Sequence, residues 1–183
     1  MGNQTFETNG PNYRVKGVEI QTVARVTHEL TVTGSAAWNS SNQTNPPYIT
    51  SVTGQSITSI PNPYGSLGST LAESPPFSGN LRARYEFEAG DYHAFVQIGA
   101  QHQAHSHSHS ATGFVQNYDQ AAFSTYDAAG GVGKDSWTVQ GYCENLTASR
   151  ADLYTSSTQS VTAVTVNRPH TAGVKFSYKF GGK

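Results

Sequence analysis

From Arg14 to Val26 apolar and polar residues alternate, with Val18, Ile20, Thr22, Ala24 and Val26 on one side and Glu19, Gln21 and Arg25 on the other. A period of two is the mark of a strand with one face in apolar surroundings, and helical spacing fits the stretch badly. After Thr27-His28-Glu29 the alternation resumes, with Leu30, Val32, Gly34, Ala36 and Trp38 opposite Thr31, Thr33 and Ser35. The two runs predict a hairpin. A second hairpin is predicted from Asn80 to Glu88, where Leu81, Ala83, Tyr85 and Phe87 oppose Arg82, Arg84 and Glu86; it turns at Glu88-Ala89-Gly90-Asp91 and returns through Tyr92, Ala94, Val96, Ile98 and Ala100. A third runs from about Ser124 to Gly133, turns at Lys134-Asp135-Ser136 and returns through Trp137, Val139, Gly141 and Cys143. Ala172, Val174, Phe176, Tyr178 and Phe180 form a last strand.

Seven strands result, joined alternately by tight turns and by excursions of about 40, 20 and 25 residues. Soluble β-domains seldom carry structureless loops beyond about 12–15 residues. Outer-membrane barrels combine short periplasmic turns with long extracellular loops. A strand of about ten residues, tilted by about 45°, rises about 24 Å, close to the apolar band of such barrels. Trp38, Tyr85, Phe87, Tyr92, Trp137, Tyr178 and Phe180 gather near strand ends, where amphipathic rings sit at headgroup level. The fold class expected is therefore all-β, an antiparallel transmembrane β-barrel segment. The alternative is a soluble β-sandwich or lipocalin-like binding module, whose apolar face turns inward; it leaves the loop asymmetry unexplained. The first and seventh strands run in the same direction, so they cannot close an antiparallel barrel on each other. Further strands are expected upstream of this chain.

Composition sharpens the picture. Charged residues are 13% of the 183, net charge is -1, and polarity comes from 20 Ser, 20 Thr and 18 Gly. Such a chain has no field with which to gather phosphates, so nucleic acid is excluded as a partner. No run of 18 apolar residues exists, which excludes a membrane helix and says nothing of membrane strands. The start, MGNQTFETNG, has neither the basic nor the apolar part of a secretory signal. The single cysteine, Cys143, rules out an internal disulfide framework.

Several local sequences then fit one pattern: Val15-Lys16-Gly17-Val18-Glu19 opening a strand; Pro76-Phe77-Ser78-Gly79-Asn80-Leu81 before Arg82 to Phe87; Trp137-Thr138-Val139-Gln140 leading to Glu144-Asn145-Leu146-Thr147; and Val166-Asn167-Arg168-Pro169 before Ala172 to Phe180. In this order and spacing the chain resembles the C-terminal part of a TonB-dependent outer-membrane receptor across nearly all of residues 1–183. The resemblance implies the final seven strands of a 22-stranded barrel in the bacterial outer membrane. It implies outer-membrane lipid, the upstream barrel and plug, and TonB, reached through the absent N-terminal part, as partners. The ligand implied is a siderophore, a metal complex or another nutrient, with no cofactor and no enzymatic activity. Family members commonly end in an aromatic residue, whereas here Gly181-Gly182-Lys183 follow Phe180.

Among candidate sites, His102-Gln103-Ala104-His105-Ser106-His107-Ser108-His109 stands out. In an extended segment His105, His107 and His109 share a side and are candidate ligands for zinc, copper or nickel, with no carboxylate adjacent in sequence. The Pro-rich segment from Asn39 to Ser78 carries Tyr48 and Tyr64 as candidate substrate contacts on an outer loop. Gly130 to Ser136 imitates a phosphate loop, but Ala128 and Asp135 stand where that motif needs Gly and Ser or Thr; a strand end and turn are expected. Sequons at Asn3, Asn39, Asn42 and Asn145 are chance matches in an Asn- and Thr-rich chain. Cys143, on the face of Val139 and Gly141, is expected to be a packing or lipid-facing residue. Arg82, Arg84, Glu86, Lys175 and Lys179 are expected to face the lumen.

Overall fold

The computed structural model describes residues 11–45, 67–108, 118–158 and 161–181. Eleven strands form, in chain order β1 (Tyr13–Arg25), β2 (Leu30–Gln43), β3 (Phe77–Ala89), β4 (Tyr92–Gln103), β5 (Ser106–Ser108), β6 (Tyr118–Gln120), β7 (Phe123–Lys134), β8 (Trp137–Glu144), β9 (Asp152–Thr158), β10 (Val161–Val166) and β11 (Thr171–Tyr178). Seven of them make one sheet in the order β1-β2-β3-β4-β7-β8-β11. Each neighbouring pair is antiparallel. The seven strands read from alternation are these seven. The described residues contain no helix, hence none long and apolar enough to cross a membrane.

The tight turns sit where the sequence places them. Gly90 and Asp91 join β3 to β4, with Gly90 at φ 66°, and Asp135 and Ser136 join β7 to β8, with Asp135 at φ 51°. A left-handed residue opening a two-residue turn matches the twist of the strands it connects. The phosphate-loop imitation is accordingly the end of β7 and this turn.

Two short ribbons lie in the long connections, β5 with β6 and β9 with β10; neither is visible in the alternation. The second strand also extends to Gln43 and the third begins at Phe77, further toward the long-loop end than periodicity indicates. There Gly79 leaves space for the Phe77 ring: a Cβ would stand 3.2 Å from Phe77 Cζ and 3.1 Å from the Ser35 carbonyl oxygen.

The sheet is a single layer with scarcely a core. Phe95 and Ala151, 8% and 7% exposed, are the buried hydrophobic residues among those described, whereas Val18, Ile20, Leu81, Ile98, Val174 and Phe176 each expose more than half their surface. Large exposed apolar patches mark a surface covered by something else. Among the described residues no second sheet packs on that face, so the sandwich and lipocalin-like alternative has no counterpart in the fold.

Candidate functional site: a two-faced wall and its outer rim

Directly opposed residues of antiparallel strands point to the same face, so the register sorts every side chain. Ile20 pairs with Ala36, Ala36 with Gly79, and Gly79 with His102. Two rows nearer the short turns, Val32, Ala83, Ile98, Ala128, Cys143 and Ala172 are joined in register across six strands. The next rows run Leu30, Tyr85, Val96, Gly130, Gly141 and Val174, then Phe87, Ala94, Val132, Val139 and Phe176. This face is a continuous apolar band. Cys143 lies within it, half-buried, between Ala128 and Ala172 and 3.7 Å from His170 Nε2.

Aromatic rings bound the band at both ends. Trp38, Phe77 and His102 line the long-loop end, with ring centroids 5.2 and 5.9 Å apart. At the short-turn end stand Tyr85 and Phe87 (5.8 Å), Tyr92 and Trp137 (6.0 Å) and Tyr178 and Phe180 (4.7 Å). Phe77 and Phe87 are ten residues apart on β3, about 24 Å along the normal at a tilt of about 45°. Phe77 completes the outer girdle; the sequence reading placed it before a strand.

The opposite face is polar. It carries Arg82, Arg84 and Glu86 on β3, Gln97 on β4, Asp127 on β7, Gln140 on β8 and Lys175 on β11, with Arg84 directly opposite Gln97 and Lys175 opposite Gln140. Arg82, Arg84, Glu86 and Lys175, the residues expected to face a lumen, thus share one polar face. Lys179 follows β11 and its backbone N–H donates to the Ser136 carbonyl at 2.8 Å. An open concavity of about 760 Å³ at the short-turn end is lined by Arg84, Glu86, Glu88, His93, Phe95 and Thr138 among others. Phe95, on this face, is one of the buried hydrophobic residues among those described. It is seated over Gly131, where a Cβ would stand 2.6 Å from Phe95 Cε1, and the Arg84 guanidinium lies 3.7 Å above its ring. Arg84 Nε also donates to Glu86 Oε1 at 2.9 Å, so the ring is roofed by a neutralised cation.

At the outer rim, the two Asn-containing motifs meet. Asn145, 3% exposed and left-handed at φ 53°, donates through Nδ2 to the carbonyls of Ser149 (2.8 Å) and Arg168 (3.0 Å) and accepts from the Ser149 N–H (3.0 Å). Its own N–H donates to Asp127 Oδ1 at 2.8 Å. Asn167 Nδ2 donates to the same Ser149 carbonyl at 2.9 Å, and its Oδ1 accepts from the Ala151 N–H at 3.0 Å. Asn is apt here because its short amide tolerates the left-handed region and bonds nearby backbone. Buried with its amide fully engaged, Asn145 presents no glycosylation surface. Arg168 pairs with Glu144, and that hydrogen bond and charge raise the guanidinium pKa still further above its usual value.

The three long connections touch in series. The Gln43 N–H donates to the Ser69 carbonyl (2.8 Å), and the Glu73 N–H to the His107 carbonyl (3.0 Å). His107 Nε2 and Thr70 Oγ1 are 2.6 Å apart. Ser106 donates to the buried Gln120, whose Nε2 donates to the Leu153 carbonyl at 2.9 Å. The β5–β6 ribbon thus bridges the other two loops.

Of the candidate metal ligands, His105 and His107 are placed close together, with ring centroids 5.7 Å apart. The sequence showed no carboxylate beside them. Folding corrects this: Asp119 stands opposite His107 across the β5–β6 ribbon, with Oδ1 3.7 Å from His105 Nε2. As the side chains stand, no three of the described His, Cys, Asp and Glu residues converge on one point. His109, Tyr48 and Tyr64 lie outside the described residues.

The family model described as TonB dependent receptor-like, beta-barrel matches residues 2–146. No curated protein matches the chain. Among solved structures, the ferric yersiniabactin uptake receptor FyuA from Yersinia pestis superposes with a TM-score of 0.73 at 16% identity, over 94% of this chain and 24% of that one. The siderophore receptor PiuA from Acinetobacter baumannii gives a TM-score of 0.68 at 16% identity, over 90% of this chain and 21% of that one. The chain therefore spans about a quarter or less of the length of either receptor. Sequence match, strand order and the two-faced sheet agree: the chain belongs to the TonB-dependent receptor-like β-barrel family, and its seven-stranded sheet is an open segment of such a barrel.

Proposed function

We propose that residues 1–183 form the C-terminal wall of a TonB-dependent receptor in the bacterial outer membrane, which takes up a siderophore, metal complex or other nutrient. The apolar band faces lipid, the face of Arg82, Asp127 and Lys175 lines the lumen, and the three long connections meet ligand outside the cell. The observation that carries this reading is the band itself, bounded on both sides by aromatic rings and matched in height to a hydrocarbon layer of roughly 25 Å. Two uncovered edges support it. β1 and β11 are the first and last of seven alternating strands, so they run parallel, and an odd number of further strands is needed for antiparallel closure. In hydrocarbon each unmet backbone group costs several kcal/mol, which makes closure by upstream strands obligatory in this reading. The plug and the TonB-contacting segment would accompany those strands. Siderophores lead the ligand classes because both structural relatives are named for siderophore uptake or reception.

An immunoblot of isolated outer membranes with an antibody to residues 39–78 tests the assignment. The expected band is several-fold larger than 19.6 kDa. A band at 19.6 kDa, or absence from the outer-membrane fraction, overturns it.

A further inference from the structure

We propose that His105, His107 and Asp119 form a binding site for one divalent transition-metal ion of the zinc, nickel or copper type on the β5–β6 ribbon. His107 and Asp119 are directly opposed in the ribbon, so their side chains leave the same face, and His105, just before β5, sets its ring beside that of His107 and its Nε2 near Asp119. Two imidazoles on one tetrahedral ion, each with a metal–nitrogen bond of about 2.0–2.1 Å, hold their ring centroids about 5–6 Å apart. The observed separation is 5.7 Å. A nitrogen and an oxygen on the same ion stand about 3.3 Å apart, against 3.7 Å from His105 Nε2 to Asp119 Oδ1. Closing the His105–Asp119 pair to that spacing needs a shift of about 0.4 Å, and the His107 ring must turn toward them. The His105 and Asp119 side chains are 54% and 78% exposed, which leaves them free to make that adjustment.

The donor set selects the metal. Two imidazoles disfavour calcium and magnesium, which take oxygen ligands, and suit zinc, copper and nickel. Three protein ligands leave a position open to water or to a donor of a chelating molecule. Thr70 Oγ1, at 2.6 Å from His107 Nε2, is placed as the outer-shell partner that fixes a ligating histidine's tautomer; His107 then ligates through Nδ1. Asp119 is the discriminating member, because a bare His-x-His-x-His run binds nickel loosely in any conformation.

The test is titration of the full-length receptor that carries these residues, in detergent micelles, with Co(II), read by its visible absorption, and with Zn(II) by calorimetry. One ion is expected to bind. Asp119→Asn is expected to weaken binding about tenfold or more, the double change His105→Ser with His107→Ser to remove it, and His109→Ser to change it less than threefold. Far-UV circular dichroism checks that each variant keeps the strand content of the parent. Equal binding by the parent and Asp119→Asn overturns the site, as does no binding by the parent. Loss on His109→Ser as complete as in the double variant also overturns it, since the run alone would then suffice. None of these outcomes bears on the length of the native receptor.

Discussion

Replacing Ile98 with Arg tests the orientation of the sheet more sharply than any other single change. Ile98 lies near mid-height of β4, between Ala83 and Ala128 on the apolar face, and is 65% exposed. If that exposed two-thirds meets lipid, removing it forfeits about 1–2 kcal/mol of the 1.5–3 kcal/mol that a fully buried Ile contributes. The charge adds its own cost, and Arg at the bilayer midplane of a barrel totals about 2–4 kcal/mol. That predicts a folding equilibrium lowered roughly 30- to 700-fold. The adjacent Gln97 points to the opposite face, and Gln97→Arg in a wet lumen belongs with surface changes, within about 0.5 kcal/mol. Urea unfolding of both variants in lipid vesicles, followed by tryptophan fluorescence, gives the two numbers side by side. Equal and small effects would show that water covers both faces. A large cost for Gln97→Arg with none for Ile98→Arg would show that the faces have been assigned the wrong way round.

Further outcomes follow from the rim, the lumen seat and the girdles. Asn145→Ala removes three side-chain hydrogen bonds and sets a Cβ residue without a stabilising amide at φ 53°; about 2–4 kcal/mol of local stability should be lost, seen as faster proteolysis between residues 145 and 170, and unchanged cleavage refutes the anchoring role. Gly131→Val should cost about 1–3 kcal/mol by expelling the Phe95 ring, and Phe95→Ala should recover part of it in a double-mutant cycle; strictly additive effects would contradict the contact. Trp38 and Trp137 are the two tryptophans of the chain and stand in opposite girdles. Both should be quenched more strongly by bromines near the lipid headgroups than by bromines at the chain ends, and the reverse order would remove the girdles from the interface.

The large sheet was legible in the sequence because its two faces meet different solvents. A residue such as Ile20 or Val174 is apolar for a reason that repeats every second position, and the repeat survives over nine or more residues in β1, β3 and β4. The ribbons lack that contrast. β5 and β6 have three residues each, too short for any period, and β9 and β10 lie beyond the band, where Thr, Ser and Val fill both sides. The same limit hid Asp119 from the His run: the two approach only because a ribbon returns the chain, and nothing in composition records that return. Phe77 was passed over because Gly79, which admits its ring, has no side chain to carry the alternation back from Leu81. The Asn145 and Asn167 motifs were recognised as a pattern, and their physical meaning, two amides sharing the Ser149 carbonyl, became visible only in three dimensions.

A sheet with Phe95 as its buried hydrophobic residue among those described has almost nothing to collapse around. The chain's mean hydropathy is -0.49, and along the strands most apolar positions alternate with polar ones. An unpaired strand of this kind offers the secretion route no greasy segment to retain and can be carried through water as a nearly polar polymer. Only when neighbouring strands zip together do the alternate residues merge into one oily wall. In the proposed membrane setting, insertion and strand pairing would therefore be a single event.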